Sequence, residues 1–427
     1  MSYRLAINTF VLSVATVSLV IAAEPREVNY DEAQVPKFEL AHPLVMLNGD
    51  QVENPQTWFQ KRRPEIMRLF EEHVYGRVPN VPVSQKASLR SIDKNALGGT
   101  AIRKEVSIYF DADNPRPRMD LLIFLPKHIR QPVPVFLGLN FEGNHAVHAD
   151  PGISISDQWM RNGVGVVDNR ATEASRGATA RRWAIEKVIA RGYGVVTIYS
   201  GDLDPDYDDE FQNGVQPLFY REGQAKPAPH EWGTIGAWAW GLSRAMDYLQ
   251  EDAAINEKQV ALLGHSRLGK TALWAGAQDP RFAIVISNSS GCGGAALSKR
   301  RFGETVEIIN TAFPHWFCDN FVKYNGNEDA LPVDQHLLVA LIAPRPVYIN
   351  SATDDQWADP YGEFLAAKYA EPVYRLLGTD GINGAEMPAA DNPVMHTLGY
   401  HLRTGAHEVT DYDWDCYLMF ADMHFNR

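Results

Sequence analysis

The stretch Val260-Ala-Leu-Leu-Gly-His-Ser-Arg-Leu-Gly-Lys270 decides the fold. Its first four residues are apolar and predict a short buried strand that ends at Gly264, and a helix is predicted to begin at about Leu268. A serine at a sharp turn between a strand and a helix is typical of a nucleophile elbow, in which backbone strain raises the hydroxyl above the sheet. The pattern is G-x-S-x-x-G, because Leu268 stands where a second glycine is usual and Gly269 follows it. We therefore predict that Ser266 is a nucleophile.

Strand-like and helix-like segments alternate along the rest of the chain. Strands are predicted at Ile102–Phe110, Met119–Leu125, Pro134–Asn140, Gly194–Tyr199, Ala283–Ser287, Pro346–Ile349 and from Tyr400 onward. Helices are predicted at Trp58–Tyr75, Trp183–Arg191, Gly236–Leu249, Leu268–Ala277, His336–Ala340, Pro360–Tyr369 and Asp413–Phe420. Such alternation indicates a mainly parallel sheet with helices on both faces, and together with the elbow it predicts an α/β-hydrolase.

Two long stretches, Asn144–Ala180 and Ser200–Gly233, fit neither pattern. Loops of this length are usually functional insertions over a site, or else disordered. The second contains an acidic run, Asp202–Glu210. Calcium binding is one interpretation of that run, but we favour a solvated loop.

A serine nucleophile needs a histidine base and an acid that orients it. In α/β-hydrolases the acid follows a later strand, and the histidine lies nearer the C-terminus. Asp354 and Asp355 both follow a predicted strand, and His407 follows a turn of small residues. His401, within a predicted strand, and His424, near the end of the chain, are lesser candidates for the base.

Attack by a serine hydroxyl on a carbonyl carbon places negative charge on the carbonyl oxygen, which needs hydrogen-bond donors around it. Leu137–His145 spans the end of an earlier predicted strand, and Gly143 would allow the backbone to approach closely, although the segment is equally consistent with a simple turn. Arg267 is next to the predicted nucleophile and would supply a permanent cation, with a structural salt bridge as the alternative.

Composition limits the possible partners. The 427 residues include 40 Lys and Arg against 53 Asp and Glu, which gives a net charge of −13. An acidic protein repels phosphate backbones and anionic lipid, so we expect neither nucleic acid nor a membrane surface as a partner. We predict a single domain over residues 24–427, and a monomer.

The N-terminus has the pattern of a secretory signal peptide. Arg4 precedes an apolar run, Phe10–Ile21, which is shorter than the ~20 residues of a membrane-spanning helix. Cleavage is expected after Ala22 or Ala23, which would make residues 1–23 the signal peptide and the product an exported protein.

The chain has three cysteines, Cys292, Cys318 and Cys416, so they cannot all pair. Their spacing matches no zinc motif, and buried free thiols are the favoured interpretation. Nothing in the sequence points to a metal or another cofactor.

Several motifs together resemble the bacterial glucuronoyl esterases. They are Gly264-His-Ser-Arg-Leu-Gly-Lys270, Ser290-Gly-Cys-Gly-Gly-Ala-Ala-Leu297, Phe313-Pro-His-Trp-Phe-Cys-Asp-Asn-Phe321, Asp355-Gln-Trp-Ala-Asp-Pro360 and Thr404-Gly-Ala-His407. The similarity runs from about Pro36 to the C-terminus. It implies a metal-free α/β-hydrolase that cleaves the ester between 4-O-methyl-glucuronic acid on glucuronoxylan and lignin alcohols.

The resemblance also implies roles for individual residues. The matching positions are Ser266 as nucleophile, His407 as base, Arg267 as oxyanion stabiliser, and Lys270, Glu304 and Trp357 as contacts to the glucuronate. Many members carry a glutamate where this chain has Ser289, so the resemblance implies that the acid here is Asp355, with Asp354 in reserve. A cysteine that forms a disulfide in fungal members is His265 here, as in bacterial relatives.

Two other functions stay open from the sequence. An acetyl-xylan or other short-chain esterase would use the same triad, and only the predicted sugar contacts argue against it. A non-catalytic carbohydrate-binding protein is a lesser alternative, since the nucleophile, base and acid are all present.

Overall fold

The computed structural model describes residues 28–111, 114–384 and 386–426. The predicted signal peptide and its cleavage site lie outside these residues. In the described ranges, no helix combines the length and apolar character needed to cross a membrane.

Strands run through most of the chain between residues 86 and 403. They are β1 (Lys86–Asn95), β2 (Ala101–Tyr109), β3 (Arg118–Pro126), β4 (Val133–Asn140), β5 (Val166–Val167), β6 (Arg170–Ala171), β7 (Gly194–Tyr199), β8 (Ile255–His265), β9 (Ile284–Asn288), β10 (Val347–Ala352), β11 (Val394–Met395) and β12 (Leu398–Arg403). β5 and β6 form a separate hairpin, and the others make one sheet in the order β1-β2-β3-β7-β4-β8-β9-β10-β12-β11.

The centre of this sheet is parallel. Strands β7, β4, β8, β9, β10 and β12 pair in parallel, whereas β1, β2 and β3 at one edge and β11 at the other are antiparallel. Every residue of β4 and β7 is buried, as expected for strands covered on both faces. The carboxyl ends of the parallel strands therefore meet at one edge, where α/β proteins build their sites.

Helices cover both faces. They are α1 (Pro55–Thr57), α2 (Arg63–His73), α3 (Ala96–Gly99), α4 (Ile185–Ala190), α5 (Thr234–Leu249), α6 (Arg267–Gln278), α7 (Val306–Ala312), α8 (Gln335–Ile342), α9 (Pro360–Leu376) and α10 (Asp411–Phe425), with a π-helical stretch at Trp58–Arg62. The buried residues of α2, α5, α6, α8 and α9 share one hydrophobic core, and those of α4 and α10 share the other. The predicted α/β-hydrolase architecture is confirmed, with a helical layer on each side of the sheet.

Most predicted elements are present, with shifts at their ends. The sequence missed β1, because eight of its ten residues are exposed and it lacks an apolar face. The predicted helix Trp183–Arg191 is shorter in the structure, where α4 spans Ile185–Ala190. The three cysteines are free and buried, as favoured.

The two unassigned stretches form ordered loops at the carboxyl edge of the sheet. The first holds the β5–β6 hairpin and short 3₁₀ turns, and the second holds two 3₁₀ turns. The prediction of a solvated acidic run is wrong for its first half, since Asp202 and Asp204 are buried and Asp206 is mostly so. In the sequence these three aspartates alternate with Leu203 and Pro205, and this alternation was the signal that the segment is partly buried. In the described residues, no cluster of His, Cys, Asp or Glu is suited to hold a metal ion.

Candidate active site

Ser266 occupies a strained turn between β8 and α6. Its backbone has φ of 56° and ψ of −129°, a conformation that residues with side chains rarely adopt. The turn is held because the Ser266 N–H donates to Asn288 O on the neighbouring strand at 2.8 Å. A Cβ on Gly264 would lie 1.9 Å from Leu268 O, so only glycine fits where the chain doubles back.

Gly269, one position later than the usual second glycine, also has a steric reason. A Cβ there would lie 3.0 Å from Ser290 Cβ and 3.1 Å from Ser287 Oγ. The first turn of α6 therefore packs directly on β9 and the loop that follows it. This departure from the usual spacing leaves the strand–turn–helix geometry intact.

His407 is paired with Asp355. The distance from His407 Nδ1 to Asp355 Oδ2 is 2.6 Å, and the Asp355 side chain is 6% exposed whereas that of His407 is 41% exposed. The reserve candidate, Asp354, is exposed and accepts a hydrogen bond from Thr353 Oγ1. The structure thus brings the predicted base together with Asp355 and leaves Asp354 outside.

The two lesser histidine candidates lie elsewhere. His401 is fully buried, with Nε2 2.9 Å from Asp413 Oδ1 and Nδ1 2.9 Å from the Tyr348 hydroxyl. His424, on α10, contacts the backbone oxygen of His396. Neither lines the cavity that contains Ser266.

Ser266 and His407 open into the same cavity, which has a volume of about 410 Å³. Arg267 and His265 also line it, together with Phe141 and Glu142 from the predicted oxyanion segment. The remaining wall comes mainly from the two long loops, including Trp159, Arg161, Val164, Val166, Arg181, Arg182 and Asp206. The cavity therefore brings together the predicted nucleophile, the predicted base and a guanidinium.

Arg267 forms the salt bridge that was the alternative interpretation of this residue, and it also lines the cavity beside Ser266. Its Nη1 lies 2.5 Å from Asp206 Oδ2, and its guanidinium lies 5.0 Å from the centre of the Trp316 ring. Asp206 also accepts from the Trp316 indole N–H at 2.8 Å. Burial alone would raise the pKa of Asp206, but the contacts with His315, Arg267 and Trp316 together hold it below its usual range. Asp206 therefore stays ionised and fixes the Arg267 side chain on the wall of the cavity.

The ring of His265 packs against that of His407. The ring centres of His265 and His407 are 4.5 Å apart, with an angle of 38° between their planes. Burial lowers the pKa of His265 well below its usual value, and the neighbouring His407 adds to that shift. His265 is therefore neutral near pH 7. The sequence analysis identified this position only by the absence of a disulfide and did not predict its contact with His407.

Lys270, Glu304 and Trp357 form a second cluster, outside the lining of this cavity. Lys270 Nζ donates to Ser290 O at 2.5 Å and lies 3.7 Å from Glu304 Oε2. The backbone N–H of Glu304 donates to Trp357 O at 3.0 Å. Burial raises the pKa of Glu304, which Lys270 and Trp357 oppose. Trp357 is 41% exposed, so an exposed ring stands beside a buried cation and carboxylate.

Ser289 lies directly after β9. It has φ of 44°, its N–H donates to Asn350 O at 2.7 Å, and its buried hydroxyl has no hydrogen-bond partner among the described residues. The end of β9 therefore carries no acid at this position, in contrast to the end of β10.

Comparisons with known proteins agree on one family. Residues 214–378 match the family described as "Glucuronyl esterase, fungi". Carbohydrate esterase MZ0003, from an unknown prokaryotic organism, is 56% identical over 406 residues, which cover 95% of this chain and 94% of that protein.

Solved structures give the same result. A glucuronoyl esterase from Solibacter usitatus is 48% identical with a TM-score of 0.88, over 92% of this chain and all of that one. A structure described as a promiscuous CE15 esterase from a marine bacterial metagenome is 56% identical with a TM-score of 0.88, over 93% of this chain and all of that one.

Proposed function

Because this chain belongs to the bacterial glucuronoyl esterases of carbohydrate esterase family 15, we propose that Ser266, His407 and Asp355 carry out its hydrolysis of glucuronoyl esters. One observation carries the assignment. The strained elbow serine opens into the same cavity as a histidine whose other ring nitrogen is held by a buried carboxylate.

The reaction proceeds through an acyl-enzyme. Ser266 Oγ attacks the carbonyl carbon of the uronate ester while His407 Nε2 takes the hydroxyl proton. The tetrahedral intermediate collapses as the bond to the alcohol oxygen breaks, and the alcohol leaves with the proton from His407. Water then attacks the acyl-enzyme, again losing its proton to His407, and free glucuronate and Ser266 are regenerated. Asp355 holds the imidazole in orientation and stabilises its charged form.

Arg267 and the first turn of α6 stabilise the oxyanion. Backbone N–H groups at the start of a helix lack partners within it, and those of Arg267 and Leu268 are the donors we assign to the oxyanion, since the next two, of Gly269 and Lys270, donate to Ser266 O. The guanidinium of Arg267, held by Asp206, adds a fixed positive charge on the cavity wall. Removal of one such donor typically costs about 10²–10³ in rate.

We assign the cluster of Lys270, Glu304 and Trp357 to the glucuronate ring, as the family resemblance implies. A buried cation and carboxylate supply donors and acceptors for sugar hydroxyls, and the exposed indole offers a flat apolar face. The alcohol then extends on the side of His407, which must give it a proton. The polymeric substrate is glucuronoxylan, and lignin alcohols are the proposed leaving groups.

We also infer that the protein is exported and acts as a monomer. The basic start, short apolar run and small residues at the N-terminus support export. Mass spectrometry of protein recovered outside the cytoplasm tests for cleavage after Ala22 or Ala23, and sedimentation tests the monomer.

A second candidate activity is the hydrolysis of short-chain esters such as acetylated xylan. It is favoured by the marine metagenome structure, described as promiscuous, to which this chain is 56% identical. Comparing kcat/KM for benzyl glucuronate and for acetylated xylan ranks the two activities.

Benzyl glucuronate hydrolysis by four proteins tests the assignment directly. Ser266→Ala should lose activity by several orders of magnitude and Asp355→Ala should be strongly impaired. Asp354→Ala is the matched control, since this neighbouring carboxylate does not touch His407, and it should keep activity. An active Ser266→Ala variant would refute the nucleophile, and a protein that hydrolyses acetyl esters alone would refute the substrate.

A further inference from the structure

Asp413, in the first turn of α10, is fully buried although it belongs to none of the catalytic groups. Its Oδ2 accepts from the N–H of Thr410 at 2.7 Å and from Thr410 Oγ1 at 2.8 Å, which caps the helix. Its Oδ1 accepts from His401 Nε2. A buried carboxylate is costly unless it is well paired, and two further partners lead from it toward His407.

The first partner is Arg403, at the end of β12. Its Nε lies 3.0 Å from Asp413 Oδ2, and its side chain is 6% exposed. Its other nitrogens donate to three backbone oxygens of the loop that carries the base, those of Thr404 at 3.0 Å, Ala406 at 2.6 Å and Glu408 at 3.1 Å. One guanidinium therefore holds the carbonyl groups on both sides of the catalytic histidine.

The second path is a series of buried hydrogen bonds. Asn350 Nδ2 donates to Asp413 Oδ1 at 3.2 Å, and the Tyr417 hydroxyl donates to Asn350 Oδ1 at 2.8 Å. Asn288 Nδ2 donates to the Tyr417 oxygen at 2.8 Å, and Asn288 Oδ1 lies 2.9 Å from His265 Nδ1.

In this series each group donates a hydrogen bond to the next group along the path to the Asp413 carboxylate. An amide oxygen can only accept, so the proton of neutral His265 resides on Nδ1 and its ring orientation is fixed. That ring is the one that packs 4.5 Å from the ring of the base.

We propose that Arg403 is a positioning residue for His407, and that Asp413 anchors both the loop and the ring against which the base packs. This inference rests on the proposed function, since it takes His407 as the base. A displacement of about 1 Å in a catalytic group can cost about 10²-fold in rate. Because Arg403 holds the loop at three carbonyl groups, it keeps His407 in position and so maintains the rate.

A matched control exists in Arg345, which precedes β10. Its guanidinium also donates to three backbone oxygens, those of Gly276, Asp279 and Phe282. These contacts lie at the amino ends of the parallel strands, whereas the loop that carries His407 lies at their carboxyl ends. Replacing Arg345 removes the same kind of contact without touching the loop of the base.

The experiment compares Arg403→Gln with Arg345→Gln. We expect kcat for benzyl glucuronate to fall by about 10²-fold in Arg403→Gln, with KM changed less than threefold. Arg345→Gln should lower Tm but keep kcat within twofold. Proton NMR gives a second readout, because the proton in the short bond between His407 Nδ1 and Asp355 Oδ2 resonates far downfield. That signal should shift or broaden in Arg403→Gln alone.

Equal kcat for the two variants, or a kcat that falls only in step with Tm in both, would overturn the proposal. If Arg403→Gln does not fold, Tyr417→Phe decides, since it removes a single hydroxyl from the series that ends at His265. An unchanged kcat and an unchanged downfield signal in Tyr417→Phe would then overturn it. A His407→Ala variant that keeps its activity would refute the proposed function itself, which is a different result.

Discussion

Replacing Asp355 by alanine isolates the electrostatic part of the proposed mechanism. In the transition state His407 carries a positive charge, and the carboxylate bonded to its Nδ1 at 2.6 Å stabilises that charge. Two unit charges with centres about 4 Å apart interact by about 4 kcal/mol at an effective dielectric constant of 20. His407 is 41% exposed, so we reduce this to about 3 kcal/mol to allow for solvent screening.

A loss of about 3 kcal/mol corresponds to a decrease of about 10² in kcat. The assay measures benzyl alcohol released from benzyl glucuronate, with kcat and KM determined separately. KM should change little, because Asp355 is 6% exposed and acts through His407. Asp354→Ala serves as the control for a nearby lost carboxylate.

A second substitution sharpens this test. Ser289 follows the neighbouring strand β9, and its buried hydroxyl has no hydrogen-bond partner among the described residues. The family resemblance implies a glutamate at this position in other members. Ser289→Glu in the Asp355→Ala background should restore part of the lost kcat. The reasoning is refuted if Asp355→Ala keeps more than a third of the wild-type kcat, or if Asp354→Ala is impaired equally.

Three further predictions follow from other groups. The pKa of Asp206 is lowered in the folded state, so ionised Asp206 contributes stability that is present above about pH 4 and is lost as pH falls. Asp206→Asn should therefore flatten the acid side of a plot of Tm against pH. An acid side that is the same in the variant and the wild type would contradict this. Burial raises the pKa of Glu363 to about 8, so the folded state keeps a proton that the unfolded state loses near pH 4, and stability should fall between about pH 4 and 8. Glu363→Gln should reduce this loss of stability, measured as the decrease in Tm between about pH 4 and 8. A decrease of the same size in the variant and the wild type would contradict the raised pKa of Glu363. Lys270→Ala should raise KM for benzyl glucuronate about tenfold or more, since loss of a charged hydrogen bond costs about 1.5–3 kcal/mol. KM for 4-nitrophenyl acetate, which has no sugar, should change little. Equal effects on both esters would contradict a role of Lys270 in sugar recognition.

The sequence predicted those parts of the site that depend on local geometry. Ser266 was found because a buried strand, a glycine and a helix follow one another within a dozen residues. The parallel strands were found because strands buried on both faces are continuously apolar. Strand β1 was missed because its exposed residues carry no such pattern.

The choice between Asp354 and Asp355 needed the structure. Adjacent residues at a strand end point in different directions, and only the backbone path decides which one meets His407. The same holds for Asp206, whose partner Arg267 is 61 residues away in the chain. Its position in an acidic run suggested solvent, whereas tertiary contacts with an arginine and an indole make its burial favourable.

The walls of the cavity differ in origin from its floor. Ser266 follows β8 and His407 follows β12, whereas most of the wall comes from the loop between residues 144 and 182. Lys270, Glu304 and Trp357 contribute nothing to that wall. On the proposed assignment of roles, exchange of this loop, by natural selection or in a mutant library, should change the preferred alcohol while sugar recognition and turnover chemistry are inherited unchanged.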